Sequence, residues 1–503
     1  MFRALILIHR YVGIAVGLLM AVWCLSGVVM MYVPYPRLSE EQRVGGLAQI
    51  DWRACCSFEV GAAAEGRDGV GRSGAVDASP AVHASAREPA IADDARVSSF
   101  QLEMLGARPV LRVALAESGR RVIDLRSGSV IESVGDDDAS SAALRMARSM
   151  TVSGEPRAAG LIMRDQWTVA YNRGERPIHE FDFDDPARTV VYVSSTSGKV
   201  LQATQSSQRF WNWLGSVPHW LYPTALRQHT AVWAQVVIWA SVVGVFLTAT
   251  GLYLGIMELR RRNGRLTSPH RGIMYWHHVP GLIFGVLVLT WTLSGLFSMN
   301  PWGMMETEGV GDDMELLVGE PPTWGQVRGM VLSLTVRAPA DVVSVASAPF
   351  GGKLFAVVSS ASGKRARIDS SGEPSPLADE EVSQAAARLA RDGSTASASI
   401  LVSEDAYYYS TRSSPASLPV IRVLTGGTRP LRFYLDPVSG RLINKIDSGG
   451  KSFRWWHSAL HTFDFAAITR SEWFRNGLML PLLLGAALVS ATGVWLGIRR
   501  LTR

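Results

Sequence analysis

Four apolar stretches, each long enough to cross a lipid bilayer, constrain this chain of 503 residues more than any other feature. They lie at about residues 4–33, 231–257, 274–299 and 478–498, and a membrane-spanning helix takes about 20 apolar residues. The first stretch is too long for a signal peptide, is interrupted by His9 and Arg10, and precedes no small-residue cleavage site. We therefore expect a retained first helix and an α-helical membrane protein with four spans.

The first and third apolar stretches carry the same pattern. His9, Gly13, Gly17, Trp23 and Leu-Ser-Gly at 25–27 recur as His277, Gly281, Gly285, Trp291 and Leu-Ser-Gly at 293–295. A second register relates Tyr192, Trp213, Ser216, His219, Thr250 and Gly251 to Tyr434, Trp455, Ser458, His461, Thr492 and Gly493. These registers predict a parallel internal duplication with two helices per copy. The spans should form a four-helix bundle whose glycines permit close approach.

The arginines predict the orientation of the chain in its membrane. They cluster beside the start of the first span, in the connection after the second span and in the C-terminal tail, which places these parts in the cytoplasm. The net charge of +6 reflects this sidedness, and we expect no nucleic-acid partner. The predicted organisation is membrane helices at 1–33, 229–257, 274–299 and 476–498, outer domains at 34–228 and 300–452, an interfacial segment at 453–475, a cytoplasmic loop at 258–273 and a tail at 499–503.

Outside the spans the pattern changes to strands and turns. Four phrases predict strand, Ser-Gly turn and strand: RRVIDLRSGSVIE, TVVYVSSTSGKVLQ, RARIDSSGEPSP and RFYLDPVSGRLIN. With a helix predicted at Asp379–Arg391, they indicate small α+β modules, and the Gly/Ala/Ser-rich stretch at 61–95 is expected to be a mobile insertion. The adjacent Cys55 and Cys56 disfavour a disulfide, and the chain has no CxxC motif of the kind that binds iron–sulfur clusters or c-type haem.

A helix of the form H-x-x-x-G…W-x-L-S-G followed by D-x-x-[ST]-G hairpins resembles the PepSY-associated transmembrane (PepSY-TM) family. The resemblance covers essentially the whole chain apart from the insertion. It implies two periplasmic α+β PepSY-like domains on a bacterial inner-membrane protein. Characterised members are haem-containing reductases that help to release iron from ferric siderophores. The alternative is a non-enzymatic membrane anchor whose outer domains bind peptides, regulate a protease or sense a signal.

Seven histidines fall in two layers, one near each membrane face. The inner layer holds His9, His277 and His278, and the outer layer holds His219, His229, His457 and His461. Ionisable residues within spans are costly and usually functional, and neutral imidazole is a good iron ligand. Histidines and tryptophans at an interface also commonly contact lipid headgroups only. As a duplicated set, these histidines predict two haem b groups, one near each face, in an oxidoreductase that conducts electrons across the membrane.

The pairing of the ligands stays open at several points. His9 is expected to stand opposite His277 or His278, and the repeat favours His277. In the outer layer, His229 is the predicted axial ligand opposite His461 or His457, which share one helical face. His219 is then a third ligand or a residue that hydrogen-bonds a ligand.

Several cofactor motifs are missing from the sequence. It has no GxGxxG after a strand and no Walker phosphate loop, so we expect no flavin or nicotinamide site. Electrons would then come from membrane quinol or a separate cytoplasmic reductase. They would pass to a ferric siderophore or another periplasmic acceptor.

Overall fold

Four long helices form the part of the chain that can cross a membrane. The computed structural model describes residues 2–56, 91–117, 119–391, 394–411, 414–465 and 471–502, so the predicted insertion lies outside the described residues except for 91–95. The first to fourth membrane helices are Phe2–Met30, Thr230–Glu258, Ile273–Ser298 and Glu472–Leu501. Their length and apolar composition confirm the prediction of a membrane protein with four spans.

The membrane helices pack side by side as a bundle. The first and third helices each contact the second and the fourth. At Gly17 an added Cβ would come within 3.2 Å of Val494, and at Gly285 it would come within 2.8 Å of Leu252. These glycines therefore allow neighbouring helices to approach closely, as the sequence predicts.

The two long connections fold into antiparallel sheets. The strands are β1 (Val97–Leu105), β2 (Arg108–Leu115), β3 (Gly119–Asp124), β4 (Arg157–Ile162), β5 (Ile178–Asp182), β6 (Val190–Ser194), β7 (Val200–Thr204), β8 (Arg260–Arg262), β9 (Arg265–Thr267), β10 (Val342–Ser347), β11 (Phe355–Ser360), β12 (Arg365–Asp369), β13 (Ala396–Leu401), β14 (Val420–Thr425), β15 (Arg432–Leu435) and β16 (Leu442–Ile446). Strands β1–β7 follow the first membrane helix and β10–β16 follow the third. We call this end of the bundle the sheet side, and the end with the β8–β9 hairpin the loop side.

One sheet joins the two outer regions, which the sequence predicts as separate modules. Its strand order is β12-β11-β10-β1-β2-β3. At its centre β1 pairs antiparallel with β10, with Leu102 opposite Val345. Each three-stranded half would otherwise expose the hydrogen-bonding edge of β1 or β10, and pairing the two edges satisfies both. The outer regions therefore share one sheet and a hydrophobic core beneath it.

Each outer region also has a four-stranded sheet of its own. The orders are β4-β5-β6-β7 and β13-β14-β15-β16. Helix Asp136–Ser149 packs on the first sheet and helix Asp379–Leu389 on the second. Both helices bury alanines together with larger apolar side chains, Met146 in the first and Val382 and Leu389 in the second, and the small alanines let each helix lie close to its sheet. The helix predicted at Asp379–Arg391 is confirmed, with its end at Leu389.

Two of the four predicted hairpins form as expected. β6 pairs with β7, and β15 pairs with β16, around their Ser-Gly turns. After β3 and β12 the chain turns back but makes only single bridges, Ile123 to Val130 and Ile368 to Pro374. The structure also joins Cys55 and Cys56 as a disulfide, a pairing that the sequence disfavours.

Shorter helices complete the structure and carry the outer histidines. Two segments return each outer region to the bundle, at Ser206–Leu214 with Ser216–His219, and at Ser448–Phe453 with the π-helix Arg454–Ala459 and Leu460–Thr462. Exposed Trp211, Trp213, Trp455 and Trp456 lie on them, as expected at a membrane interface. Within the described residues, the further helices are Glu40–Gly45, Thr224–Arg227, Gly311–Val318 and Trp324–Arg337, with 3₁₀ turns at Trp52–Ala54, Arg173–Glu175 and Pro301–Gly303.

Candidate cofactor sites in the helix bundle

On the loop side, His9 of the first membrane helix faces His277 of the third. Their ring centres lie 6.5 Å apart. His9 Nδ1 lies 3.1 Å from the carbonyl oxygen of Leu247, and His277 Nδ1 lies 3.1 Å from that of Val489. A carbonyl oxygen only accepts hydrogen bonds, so Nδ1 carries the proton in both rings. Each Nε2 is left with its lone pair, which is the form that binds a metal ion.

Glycines on the second and fourth helices make room for these two rings. An added Cβ at Gly251 would lie 2.6 Å from His9 Cε1, and one at Gly493 would lie 3.0 Å from His277 Cε1. The residue before each glycine is a threonine whose hydroxyl also contacts Nδ1, at 3.4 Å for Thr250 and 3.3 Å for Thr492. The repeated Thr-Gly pair is visible in the sequence, but its contact with the histidine rings depends on how the helices pack.

On the sheet side, His219 faces His461 with ring centres 6.1 Å apart. His219 Nδ1 lies 3.1 Å from the carbonyl oxygen of Trp23 and 3.1 Å from Ser26 Oγ. His461 Nδ1 lies 3.0 Å from Ser294 Oγ, and that hydroxyl donates in turn to the carbonyl oxygen of Trp291 at 3.1 Å. This pair therefore repeats the arrangement of the loop-side pair, with a serine in place of each threonine.

The predicted outer pairing needs a correction. His229, expected to oppose His461, is exposed and immediately precedes the second membrane helix. His219 takes that place instead, because the short helix at Ser216–His219 packs on the first membrane helix. An added Cβ at Gly215 would lie 2.9 Å from Val29, so glycine permits this close contact just before His219.

His457 lies beside the sheet-side pair rather than across it. Its ring stacks on His461 with centres 5.1 Å apart, and its Nδ1 lies 2.9 Å from the carbonyl oxygen of Ser294. The two rings thus share one face, as their spacing predicts, and they cannot be opposed ligands of one metal ion. The contact assigns His457 to holding His461 in place.

His278 points away from the loop-side pair. Its Nδ1 lies 2.8 Å from Ser268 Oγ, and its Nε2 lies 2.9 Å from the carbonyl oxygen of Gly255. Of the two adjacent histidines, His277 therefore faces His9, which is the alternative that the repeat favours.

The two pairs have the spacing of axial ligands. Since each metal–nitrogen bond is about 2 Å long, imidazoles on opposite sides of one metal ion have ring centres roughly 6 Å apart. On the two helices whose serines contact the sheet-side pair, the indole N–H groups of Trp23 and Trp291 are buried and meet no acceptor among the described residues. An unpaired buried donor is costly, so a bound group with acceptor atoms would complete this site. Opposed imidazoles, apolar helix surfaces and these donors fit haem b.

A large cleft lies between the two outer regions. It has a volume of about 2290 Å³ and is lined by both halves, including Arg112, Lys199, Arg365 and Tyr407. Tyr407 links the cleft to the segment that carries His457 and His461, because its hydroxyl accepts a hydrogen bond from Trp455 Nε1 at 3.4 Å.

A buried carboxylate supports the wall of the cleft. Glu103 accepts hydrogen bonds from Arg43 at 2.8 Å and from Arg112 at 2.9 Å. Burial alone would raise the pKa of Glu103, but the two guanidinium groups outweigh it and hold that pKa below its usual value. Glu103 is therefore ionised at neutral pH, and it fixes the arginines at the central β1–β10 pairing.

Comparison with known proteins found no relative from which a family or a function could be assigned. No protein-family model matches the chain, and no curated protein matches it.

Proposed function

We propose that this chain is a haem-containing membrane reductase of the PepSY-TM family, built by parallel duplication of one helix–domain–helix unit. The loop side faces the cytoplasm of a bacterial inner membrane, and the sheet side forms two PepSY-like domains in the periplasm. Electrons from quinol or a cytoplasmic reductase cross the membrane and reach a periplasmic acceptor, for which we propose a ferric siderophore.

The observation that carries the proposal is the presence of opposed histidine pairs at both ends of one bundle. His9 and Ser26 lie on the same helix, and Ser26 contacts His219 of the other pair. The helix rise between them is about 25 Å, so a single redox group would leave most of the membrane uncrossed. Two groups, one at each pair, divide that distance.

The residues of the chain hold and orient the cofactor. His9 with His277, and His219 with His461, would bind two haem b groups, and bound haem supplies reversible one-electron chemistry. The hydrogen bond from each Nδ1 to a carbonyl or hydroxyl oxygen leaves Nε2 with its lone pair and makes it a stronger donor. The surrounding apolar side chains exclude water.

The cleft is the proposed docking site of the acceptor. It is open to both outer regions, and its wall residue Tyr407 contacts the segment that carries His461. One electron converts Fe³⁺ to Fe²⁺ in the docked siderophore. Hard oxygen ligands bind Fe²⁺ more weakly, so the iron is released.

Haem stoichiometry tests the ligand assignment. We expect about two haems per purified chain, and about one in His9→Ala and in His219→Ala, each with a different spectrum. His229→Ala is the matched control, since His229 is exposed and apart from both pairs, and it should keep both haems. Loss of one haem from His229→Ala would restore the pairing predicted from the sequence.

Spectra and reoxidation test the activity itself. Protein expressed with adequate haem should show a Soret band, and its absence would refute the reductase and favour the non-enzymatic anchor. Dithionite-reduced protein should reoxidise when ferric siderophore is added under nitrogen. Failure with several siderophores, in protein that contains haem, would assign another acceptor.

A further inference from the structure

A second cluster of metal-binding side chains lies on the loop side, apart from the histidine pairs. Glu258 ends the second membrane helix, His270 lies in the connection and His278 belongs to the third membrane helix. One ligand atom from each lies within 4.8 Å of the others. Three segments of the chain thus bring two imidazoles and one carboxylate to one point.

Hydrogen bonds prepare His278 as a ligand. Its Nε2 lies 2.9 Å from the carbonyl oxygen of Gly255 and therefore carries the proton. Its Nδ1 keeps the lone pair, which at present accepts from Ser268 Oγ at 2.8 Å. A backbone carbonyl behind the ring is the usual partner of a metal-bound histidine.

The other two side chains are close together and reachable from the loop side. His270 Nε2 lies 2.6 Å from Glu258 Oε2, and the two side chains are 22 % and 29 % exposed. The rings of His270 and His278 lie 5.1 Å apart and nearly perpendicular. Around an ion with bonds of about 2.1 Å, ligand atoms lie roughly 3.4 Å apart, so a small side-chain movement closes the site.

The positive charge of the connection between the second and third membrane helices favours a metal ion that prefers nitrogen ligands. Five arginines lie close by in sequence, at 260, 261, 262, 265 and 271, and they disfavour cations held by charge alone. Two imidazoles and one carboxylate are a set that binds Zn²⁺ and leaves a position for water.

We propose that Glu258, His270 and His278 bind one divalent transition-metal ion, with Zn²⁺ as the probe, and that the ion fastens the connection to the ends of two membrane helices. The site is separate from the haem ligands, because His277 contacts the fourth helix while His278 contacts the end of the second. It does not depend on the proposed reductase activity.

Zinc binding to the full chain in detergent tests the site. Haem-loaded protein stripped with chelator is titrated with Zn²⁺, and bound metal is measured after dialysis. We expect one Zn²⁺ per chain, with affinity at least about tenfold lower in His270→Ala and in Glu258→Gln. His229→Ala should bind like the unmodified protein. If the preparation contains no haem, the titration uses the His9→Ala/His219→Ala background, so that empty histidine pairs do not bind the probe.

Trypsin gives a second measurement that does not depend on affinity. The arginines at 260–262 are exposed, so trypsin should cut the connection in chelator-treated protein. Zn²⁺ should slow this cleavage in the unmodified protein and not in His270→Ala. If His270→Ala binds as much Zn²⁺ as the unmodified protein, or if Zn²⁺ does not change the rate of cleavage, the cluster is only a His–Glu contact and the proposal is overturned.

Discussion

Replacing Gly251 by alanine should weaken cofactor binding at the loop-side pair alone. The added Cβ would lie 2.6 Å from His9 Cε1, whereas carbon atoms in ordinary contact are about 3.5–4 Å apart. The ring must therefore move by roughly 1 Å. Such a movement takes His9 Nδ1, now 3.1 Å from the carbonyl of Leu247, out of hydrogen-bond range.

The size of the effect follows from these two changes. A lost hydrogen bond costs about 1 kcal/mol, and overpacking adds about 1–3 kcal/mol. Since about 1.4 kcal/mol is a factor of ten, haem should bind roughly 30- to 700-fold more weakly at His9 and His277. Gly493→Ala should act in the same direction but less, because its Cβ would lie 3.0 Å from His277 Cε1.

The rate of haem loss to excess apomyoglobin measures this effect. Gly251→Ala should show one fast phase and one phase at the rate of the unmodified protein. Gly13→Ala is the control on the first helix, since its Cβ would lie 3.7 Å from the nearest side chain, and it should release haem normally. Unchanged loss from Gly251→Ala, or equal loss from Gly13→Ala, would refute the role assigned to the glycine.

Three further predictions concern the sheet side. Glu103→Gln should lower the free energy of unfolding by about 3–5 kcal/mol, because it leaves the buried Arg112 without its charge partner. Glu40→Gln is the control, because this carboxylate is exposed, and it should change thermal unfolding little. The pKa of Glu103 is lower in the folded protein than in the unfolded chain. Glu103 therefore contributes to stability above its unfolded pKa, and this contribution is lost as pH falls through its folded pKa. Acid unfolding of Glu103→Gln should accordingly depend less on pH than acid unfolding of the unmodified protein. Trp23→Phe removes a buried N–H that would stabilise the more negative reduced haem, and potentiometry should show a lower midpoint potential at the sheet-side pair only.

The spans could be predicted from the sequence because they depend on composition within one segment. About 20 apolar residues are enough to specify a membrane helix. The bounds of the first three helices agree with the predicted stretches to within three residues, and the fourth helix begins six residues before its predicted stretch. The β6–β7 and β15–β16 hairpins are local in the same sense. The shared sheet could not be predicted, because Leu102 and Val345 are paired across almost half of the chain and both strands satisfy the same local pattern.

The outer histidine pair shows a different limit of sequence reasoning. His229 adjoins an apolar span in the sequence, but closeness along the chain does not give closeness in space. The deciding feature is the turn at Gly215, which brings the next short helix against Val29 and His219 beside Ser26. A glycine before a repeated histidine was visible in the sequence. The residue that His219 contacts, Ser26, lies on a helix almost two hundred residues earlier in the chain.

All four facing histidines are held by the same local hydrogen-bond arrangement, and this supports a common function. In each case a threonine or serine hydroxyl donates to the carbonyl three residues earlier on its helix, at Thr250, Thr492, Ser26 and Ser294. The ring Nδ1 then contacts that same hydroxyl in all four cases, and in His9, His277 and His219 it also contacts that carbonyl. A histidine needed only at a lipid interface would gain nothing from a fixed tautomer, since water and headgroups bond either nitrogen. Four rings with one tautomer, facing in pairs with centres 6.5 Å and 6.1 Å apart, therefore support the proposal of a cofactor site at each pair.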